Sequence, residues 1–156
     1  MPNLWMLRTY GETYDPWERP ISVGMEEPWL VRADDYKQMT TGESALLYLM
    51  NPKTAFGRAS KAIFAVGEIR RAWMAGPPDG SPTPESAVRA QGSAKSSATQ
   101  SIAVRYTKVL DTPITFGAMD EALQDAGRLP RILTVADLVS CRIEPDDWSI
   151  IERLHT

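Results

Sequence analysis

Apolar side chains recur along this chain in short runs and alternations of strand length, broken by stretches that keep neither period. Leu4 to Tyr10 (Leu-Trp-Met-Leu-Arg-Thr-Tyr) gathers apolar and strand-favouring residues ahead of a Gly11-Glu12 turn, which predicts a first strand. From Thr13 to Pro28 the pattern dissolves into Pro, Gly, Trp and acidic residues, which predicts a long loop. Asp34 to Met39 reads as a short helix, with acids at its positive end and Thr40-Thr41-Gly42 as its stop. Ser44 to Met50 is a nearly continuous apolar run closed by Asn51-Pro52, and Ala62 to Ile69 is a second, with Gly67 where a bulge or bend is tolerated. Ile102, Val104 and Tyr106 alternate with Ala103, Arg105 and Thr107, the period of a half-buried strand that runs to about Leu110. Thr115 to Asp125 reads as a capped helix stopped by Gly127, and Leu138 to Ile143 as a last strand. Pro145 then opens a final helix, with Asp146 and Asp147 in its first turn and Trp148, Ile151 and Leu154 on one face.

Strands that outnumber helices, without regular alternation of the two, fit an α+β fold: a small β-barrel with peripheral helices rather than a doubly wound sheet. With 156 residues and 43% apolar content, the chain suits one domain with a real core. Between Ala75 and Gln100 the composition shifts to Gly, Pro, Ser, Ala and Thr, too poor in large apolar groups to offset its ordering entropy. The expectation is therefore a single domain over residues 1–156, carrying a flexible insertion at about 75–100.

Charge adds a second pattern to this one. The net charge of −3 argues against broad polyanion binding. Yet between Pro52 and Lys108 the bases are Lys53, Arg58, Lys61, Arg70, Arg71, Arg89, Lys95, Arg105 and Lys108, against only Glu68, Asp79 and Glu85. That distribution reads either as a local anion-facing surface or as an ordinary solvated face.

Several chemistries lack their residues. His155 is the only histidine and Cys141 the only cysteine, so catalytic triads, zinc knuckles, iron–sulfur ligation and internal disulfides have no material, and Cys141 reads as packing rather than nucleophile. Neither familiar phosphate-loop spacing occurs. The adjacent acid pairs Glu26-Glu27, Asp34-Asp35 and Asp146-Asp147 point their members apart on regular structure and read as solvated loops or helix starts. The expectation is no catalytic residue, no metal and no cofactor. Met1-Pro2-Asn3-Leu4-Trp5 lacks a basic start and cleavage site, and no apolar run nears the roughly 18 residues of a membrane span, so a cytoplasmic protein without a membrane association is expected.

Aromatic residues crowd the start of the chain: Trp5, Tyr10, Tyr14, Trp17 and Trp29 all fall within the first thirty residues. Such a group can wall a slot for a flat ligand, where stacking is worth about 1–3 kcal/mol per base, or simply cap a barrel end.

The order of motifs resembles the EVE domain, a PUA-like fold related to YTH readers. Leu4-Trp5-Met6-Leu7-Arg8-Thr9 is similar to its opening Tyr-Trp-Leu-Val-Lys-Thr strand. Tyr36-Lys37-Gln38-Met39-Thr40-Thr41-Gly42-Glu43, followed by Ala45-Leu46-Leu47-Tyr48, resembles the helix ending in Met-x-x-Gly-Asp that leads into the second strand. Ala62 to Ile69 resembles the Ile-Val-Gly-x-x-Glu-Val strand. Pro113-Ile114-Thr115 and Ile143-Glu144-Pro145-Asp146-Asp147-Trp148 resemble Pro-Val-Thr and Val-Thr-x-Glu-Glu-Trp. Tyr10-Gly11 stands where the family has Glu-Pro, and Trp29-Leu30-Val31-Arg32 where it has Val-Arg-Asn.

The resemblance implies a pseudo-barrel whose concave face accepts one flipped, commonly modified, base of DNA or RNA, with methylated or hydroxymethylated cytosine the first candidate. On that reading Trp17 and Trp29 are stacking walls, Trp5, Thr9 and Tyr10 line the floor, Asn51 meets the base edge, and Arg58, Lys61, Arg70 and Arg71 neutralise phosphates. The alternative is a protein-interaction or regulatory module that keeps the fold without a base pocket. A third reading, a metal-assisted nuclease using Asp and Glu, has no recognisable site.

Overall fold

The computed structural model describes residues 2–10, 14, 16, 21–50, 61–71, 82–90, 99–128 and 139–155. Its strands are β1 (Leu4–Tyr10), β2 (Glu26–Arg32), β3 (Ser44–Met50), β4 (Lys61–Arg70), β5 (Thr99–Thr115) and β6 (Ser140–Ile143). Its helices are α1 (Ala33–Gln38), α2 (Pro84–Ala90), α3 (Phe116–Asp125) and α4 (Pro145–Glu152), the last continued by a 3-10 turn over Arg153–His155. The strands form one sheet in the order β2-β5-β4-β3-β1-β6, curled into a half-barrel. The α+β barrel with outer helices expected from the sequence is the fold observed. Among the described residues no helix is long and apolar enough to cross a membrane.

Only β1 and β3 run parallel, and the other neighbours are antiparallel. Both faces of the central strands are covered, which is why β1 and β3 read as apolar runs rather than alternations. Trp5 and Leu7 of β1 and Ala45, Leu47 and Leu49 of β3 point into the concave core. Met6, Leu46 and Tyr48 point outward, where Met119 of α3 and Ile151 of α4 cover them. Burial in that outer layer raises the Tyr48 phenol well above its usual value, an effect that Arg8 alongside opposes. Thr115 caps α3 by accepting from the Ala118 N–H at 3.2 Å, as its position in the sequence suggests. Arg128, just past α3, binds the Asp147 carboxylate in the first turn of α4 and ties the two outer helices together.

Two elements differ from the sequence expectation. The stretch read as a loop to Pro28 already holds the start of β2, which pairs with β5 from Glu26↔Arg105 to Arg32↔Thr99. Pro28 disguised it, because a residue without an N–H argues against a central strand; β2 lies at the sheet edge, where that loss is tolerated. Within the segment read as a structureless insertion, Pro84–Ala90 form α2. Thr83 and Ser86 cap it reciprocally: the Ser86 N–H donates to Thr83 Oγ1 at 3.1 Å and the Thr83 N–H to Ser86 Oγ at 2.8 Å. Ala87 and Val88 supply its buried contacts, so small side chains suffice where a helix fills a narrow gap. Residues 72–81 and 91–98, on either side of it, lie outside the described residues.

That gap is the seam between the two ends of the curled sheet. α2 packs on both β1 and β2, and Thr9 Oγ1 donates to the Pro84 carbonyl at 3.0 Å. Farther along the seam, Ser140 of β6 accepts from the Arg32 N–H at 2.9 Å and donates to Asp35 Oδ2 at 2.6 Å, so one hydroxyl joins β2, α1 and β6.

Close approach fixes one glycine. A Cβ on Gly67 would strike Val104 Cγ1 and lie 3.1 Å from the Arg105 carbonyl oxygen, at the point where the β4–β5 register shifts. Substitution Gly67→Ala is expected to destabilise the fold by about 1–3 kcal/mol through overpacking; a denaturation midpoint unchanged from that of the parent chain would refute the tight contact.

Candidate nucleic-acid interface

The concave face of the half-barrel gathers Tyr14, Glu27, Trp29, Phe64 and Tyr106. β2 contributes Glu27 and Trp29, two residues apart and therefore on the same side of the strand. β5 contributes Tyr106 by the same alternation that places Ile102 and Val104 inside. Phe64 arrives differently. Pairing of β4 skips it on both sides, between Ile63 and Ala65, so that Ile63 faces the outer layer while Phe64 and Ala65 both turn inward. The bulge re-aims one aromatic ring into the interior. Phe64 then stacks on Trp29 with centroids 6.2 Å apart and planes at 21°, and meets Tyr14 at 6.3 Å and Tyr106 at 6.5 Å.

An acid stands among these rings. Glu27 is 1% exposed, and its Oε1 accepts hydrogen bonds from Tyr14 at 2.8 Å and Tyr106 at 2.7 Å, with the two phenol oxygens 3.1 Å apart. Such partners offset the cost of removing a carboxylate from water. Trp29 adds a donor with no counterpart: its Nε1 is buried and has no hydrogen-bond partner among the described residues. Phenols, a carboxylate acceptor, an indole N–H and an aromatic stack are together the groups that engage a flat heterocycle by its edge and its face.

The residues singled out in the sequence fall into different places. Trp5 is fully buried in the same core, but Glu43 takes its indole N–H at 3.0 Å while also accepting from the backbone of Asn3 and Thr40. That arrangement clamps the amino end to the α1–β3 turn. Thr9 faces inward and holds α2 through Pro84. Trp29 stands at the centre of the aromatic group. Trp17, Asn51 and Arg58 lie outside the described residues, as do the side chains of Tyr10 and Lys61. Arg70 pairs with Glu68 at 3.1 Å and Glu26 at 3.7 Å, and Arg105 pairs with the same Glu68 at 3.1 Å. These hydrogen bonds, that of Arg105 first, hold the Glu68 carboxyl below its usual range. Arg71 donates to the Met39 carbonyl and lies 4.3 Å over the Tyr36 ring, bracing the end of α1.

Sequence reasoning missed Glu27, Phe64 and Tyr106 as site residues and left Tyr14 among the general aromatics. For Glu27 the signal was present: extending the Trp29-Val31 alternation back by two positions puts the acid on the inner face. No local pattern marks the bulge at Phe64. Among the described residues no group of three His, Cys, Asp or Glu side chains could hold a metal ion.

The sequence profile of the EVE domain matches residues 3–154. Solved structures share the fold across nearly the whole chain. The DUF55 domain of human thymocyte nuclear protein 1 superposes with a TM-score of 0.64 at 12% identity, covering 97% of this chain and 98% of that one. Human THYN1 in complex with DNA containing 5-methylcytosine gives 0.63 at 10% identity, covering 98% and 97%. A protein from Pseudomonas putida gives 0.60 at 16% identity, covering 98% and 99%. No curated protein matches the chain in sequence.

The buried phenols set an alkaline limit. Burial above all, then Tyr14 and Glu27, raises Tyr106 well above the ordinary value of 10.0. Unfolded, this phenol releases its proton near that ordinary value; folded, it holds the proton longer. Its contribution to stability is therefore complete below about pH 10 and falls as the pH climbs from there toward the raised value. Denaturation midpoints should drop more steeply above about pH 10 for the parent chain than for Tyr106→Phe, which starts lower by about 1–3 kcal/mol for the bond removed from Glu27. Parallel curves would show that Tyr106 titrates normally.

Proposed function

The chain belongs to the EVE domain family, and on that premise we propose that it is one non-catalytic domain that binds nucleic acid and accepts a flipped, modified base, methylated or hydroxymethylated cytosine being the first candidate. The observation that carries this reading is the concave aromatic group of Tyr14, Trp29, Phe64 and Tyr106 built around the Glu27 carboxylate. An acid at the centre of a core costs desolvation that an apolar side chain would not, and a base presents amine and carbonyl groups that need polar partners. Binding by the same fold in human THYN1, solved with 5-methylcytosine DNA, supports the assignment. No bond is broken in such a task, and the few kcal/mol spent on extruding a base are offset by stacking and edge contacts.

In this reading Trp17 is a stacking wall, Trp29 turns its indole N–H rather than its stacked ring toward the base, Trp5, Thr9 and Tyr10 form the floor, and Asn51 meets the base edge. Arg58, Lys61, Arg70 and Arg71 face phosphates, with Arg70 shared between the backbone and its acids Glu26 and Glu68. A second reading, a protein-interaction module, is favoured by the complete burial of Trp5 and Trp29 and by the acids that balance Arg70 and Arg105.

Titration of the protein with matched DNA and RNA oligonucleotides, carrying cytosine, 5-methylcytosine or 5-hydroxymethylcytosine at one position, separates the two. The base reader prefers a modified oligonucleotide and loses affinity as salt rises, with a log–log slope of about −0.7 to −0.9 per phosphate contact. Equal, negligible affinity for every oligonucleotide, together with a protein partner on co-purification, would establish the interaction module instead.

A further inference from the structure

We propose that Glu27 and Trp29 are the specificity-determining pair of this site and select a base carrying an exocyclic amine over its keto counterpart. The inference rests on the base-reading function above and goes beyond it by assigning which groups read the base edge.

Trp29 supplies the starting point. Its ring already stacks on Phe64 at 6.2 Å, so the aromatic face is engaged within the protein, yet its Nε1–H is buried with no acceptor among the described residues. A buried indole normally finds a partner, and leaving a donor unmet costs about as much as the group's desolvation. The other fully buried tryptophan among the described residues obeys that rule: Trp5 donates to Glu43 at 3.0 Å. Trp29 is the exception.

Glu27 stands two positions earlier on the same face of β2. A carboxylate offers acceptors and no donor, and the two phenols at 2.7 and 2.8 Å fix its orientation through Oε1. The inner face of β2 therefore carries a carboxylate and, two positions on, an indole donor. The Watson–Crick edge of cytosine presents the complement, an amine next to a ring nitrogen and a carbonyl that both accept. Thymine and uracil place a carbonyl where that amine stands, which sets oxygen against carboxylate. 5-Methylcytosine and thymine have nearly the same shape, so size cannot tell them apart and hydrogen bonding must. Sites built on hydrogen bonds reject the wrong partner strongly, because buried polar groups are left unpaired.

The experiment compares single-stranded oligonucleotides that differ only in 5-methylcytosine or thymine at one position, using the parent chain, Glu27→Gln and Trp29→Phe, with thermal unfolding run on each protein. The parent chain should prefer 5-methylcytosine by about tenfold or more, in line with one good base-edge pair. Glu27→Gln can still receive a phenol through its amide oxygen and can offer an N–H to a carbonyl, so it should abolish or reverse the preference. Trp29→Phe keeps a ring against Phe64 and should weaken 5-methylcytosine binding about tenfold while both variants remain folded. If Glu27→Gln fails to fold, Trp29→Phe still decides. A parent chain that prefers 5-methylcytosine equally well after either substitution overturns this pair and leaves the base reader standing; unchanged affinity in Trp29→Phe points to an enclosed water on the indole instead. A parent chain that binds neither oligonucleotide overturns the base reader and this assignment with it.

Discussion

A carboxylate enclosed by aromatic rings is the constraint around which this half-barrel is organised. Glu27 is 1% exposed, and two phenols reach its carboxylate from separate parts of the chain, Tyr14 beyond the end of β1 and Tyr106 from the middle of β5. Their convergence sets the register of β2 against β5, since a slip of one residue would turn Glu27 outward and Pro28 inward. The same register carries Trp29 against Phe64 and brings Arg32 to Ser140 at the seam. Fold and site thus share their parts, and the polar groups of the interior define one strand alignment where apolar packing alone would be more permissive.

Outside the barrel the electrostatics run the other way. Glu68 receives both Arg70 and Arg105, and Glu26 adds a longer contact to Arg70. A basic stretch in the sequence becomes, on this face, a balanced lattice of exposed pairs, each worth little to stability and readily exchanged for other anions. Arg71, next in sequence, also reaches the Met39 carbonyl at the end of α1 and lies over the Tyr36 ring.

Much of this architecture was legible in the chain. β1, β3 and β4 are apolar runs of strand length, Gly42 adopts a positive φ in the turn between α1 and β3, and Pro145 opens α4 as expected. What escaped notice depended on partners distant in sequence. β2 was hidden by Pro28 and two acids, whose meaning changes once the strand is known to lie at an edge and Glu27 to be paired. α2 was hidden because Ala87 and Val88 bury little area and are sufficient only in a narrow seam. Phe64 points inward by virtue of a bulge, which shows itself in pairing rather than in composition. The clustering of Trp and Tyr near the amino end supplies Trp29 and Tyr14 to the inner aromatic group but gives no sign of the acid among them.

The long reach between β2 and β5 bears on how the molecule is made. Glu27 and Tyr106 lie 79 residues apart, and among the described residues β2 pairs with β5 alone. During synthesis the acid and its neighbouring indole leave the ribosome well before the strand that shelters them, so the sheet closes late and its assembly is dominated by distant pairings of the slow kind. Until then Trp29, Leu30 and Val31 form an unshielded apolar edge, and the charged Glu26 and Glu27 beside them, with Pro28, discourage that edge from pairing with another nascent chain.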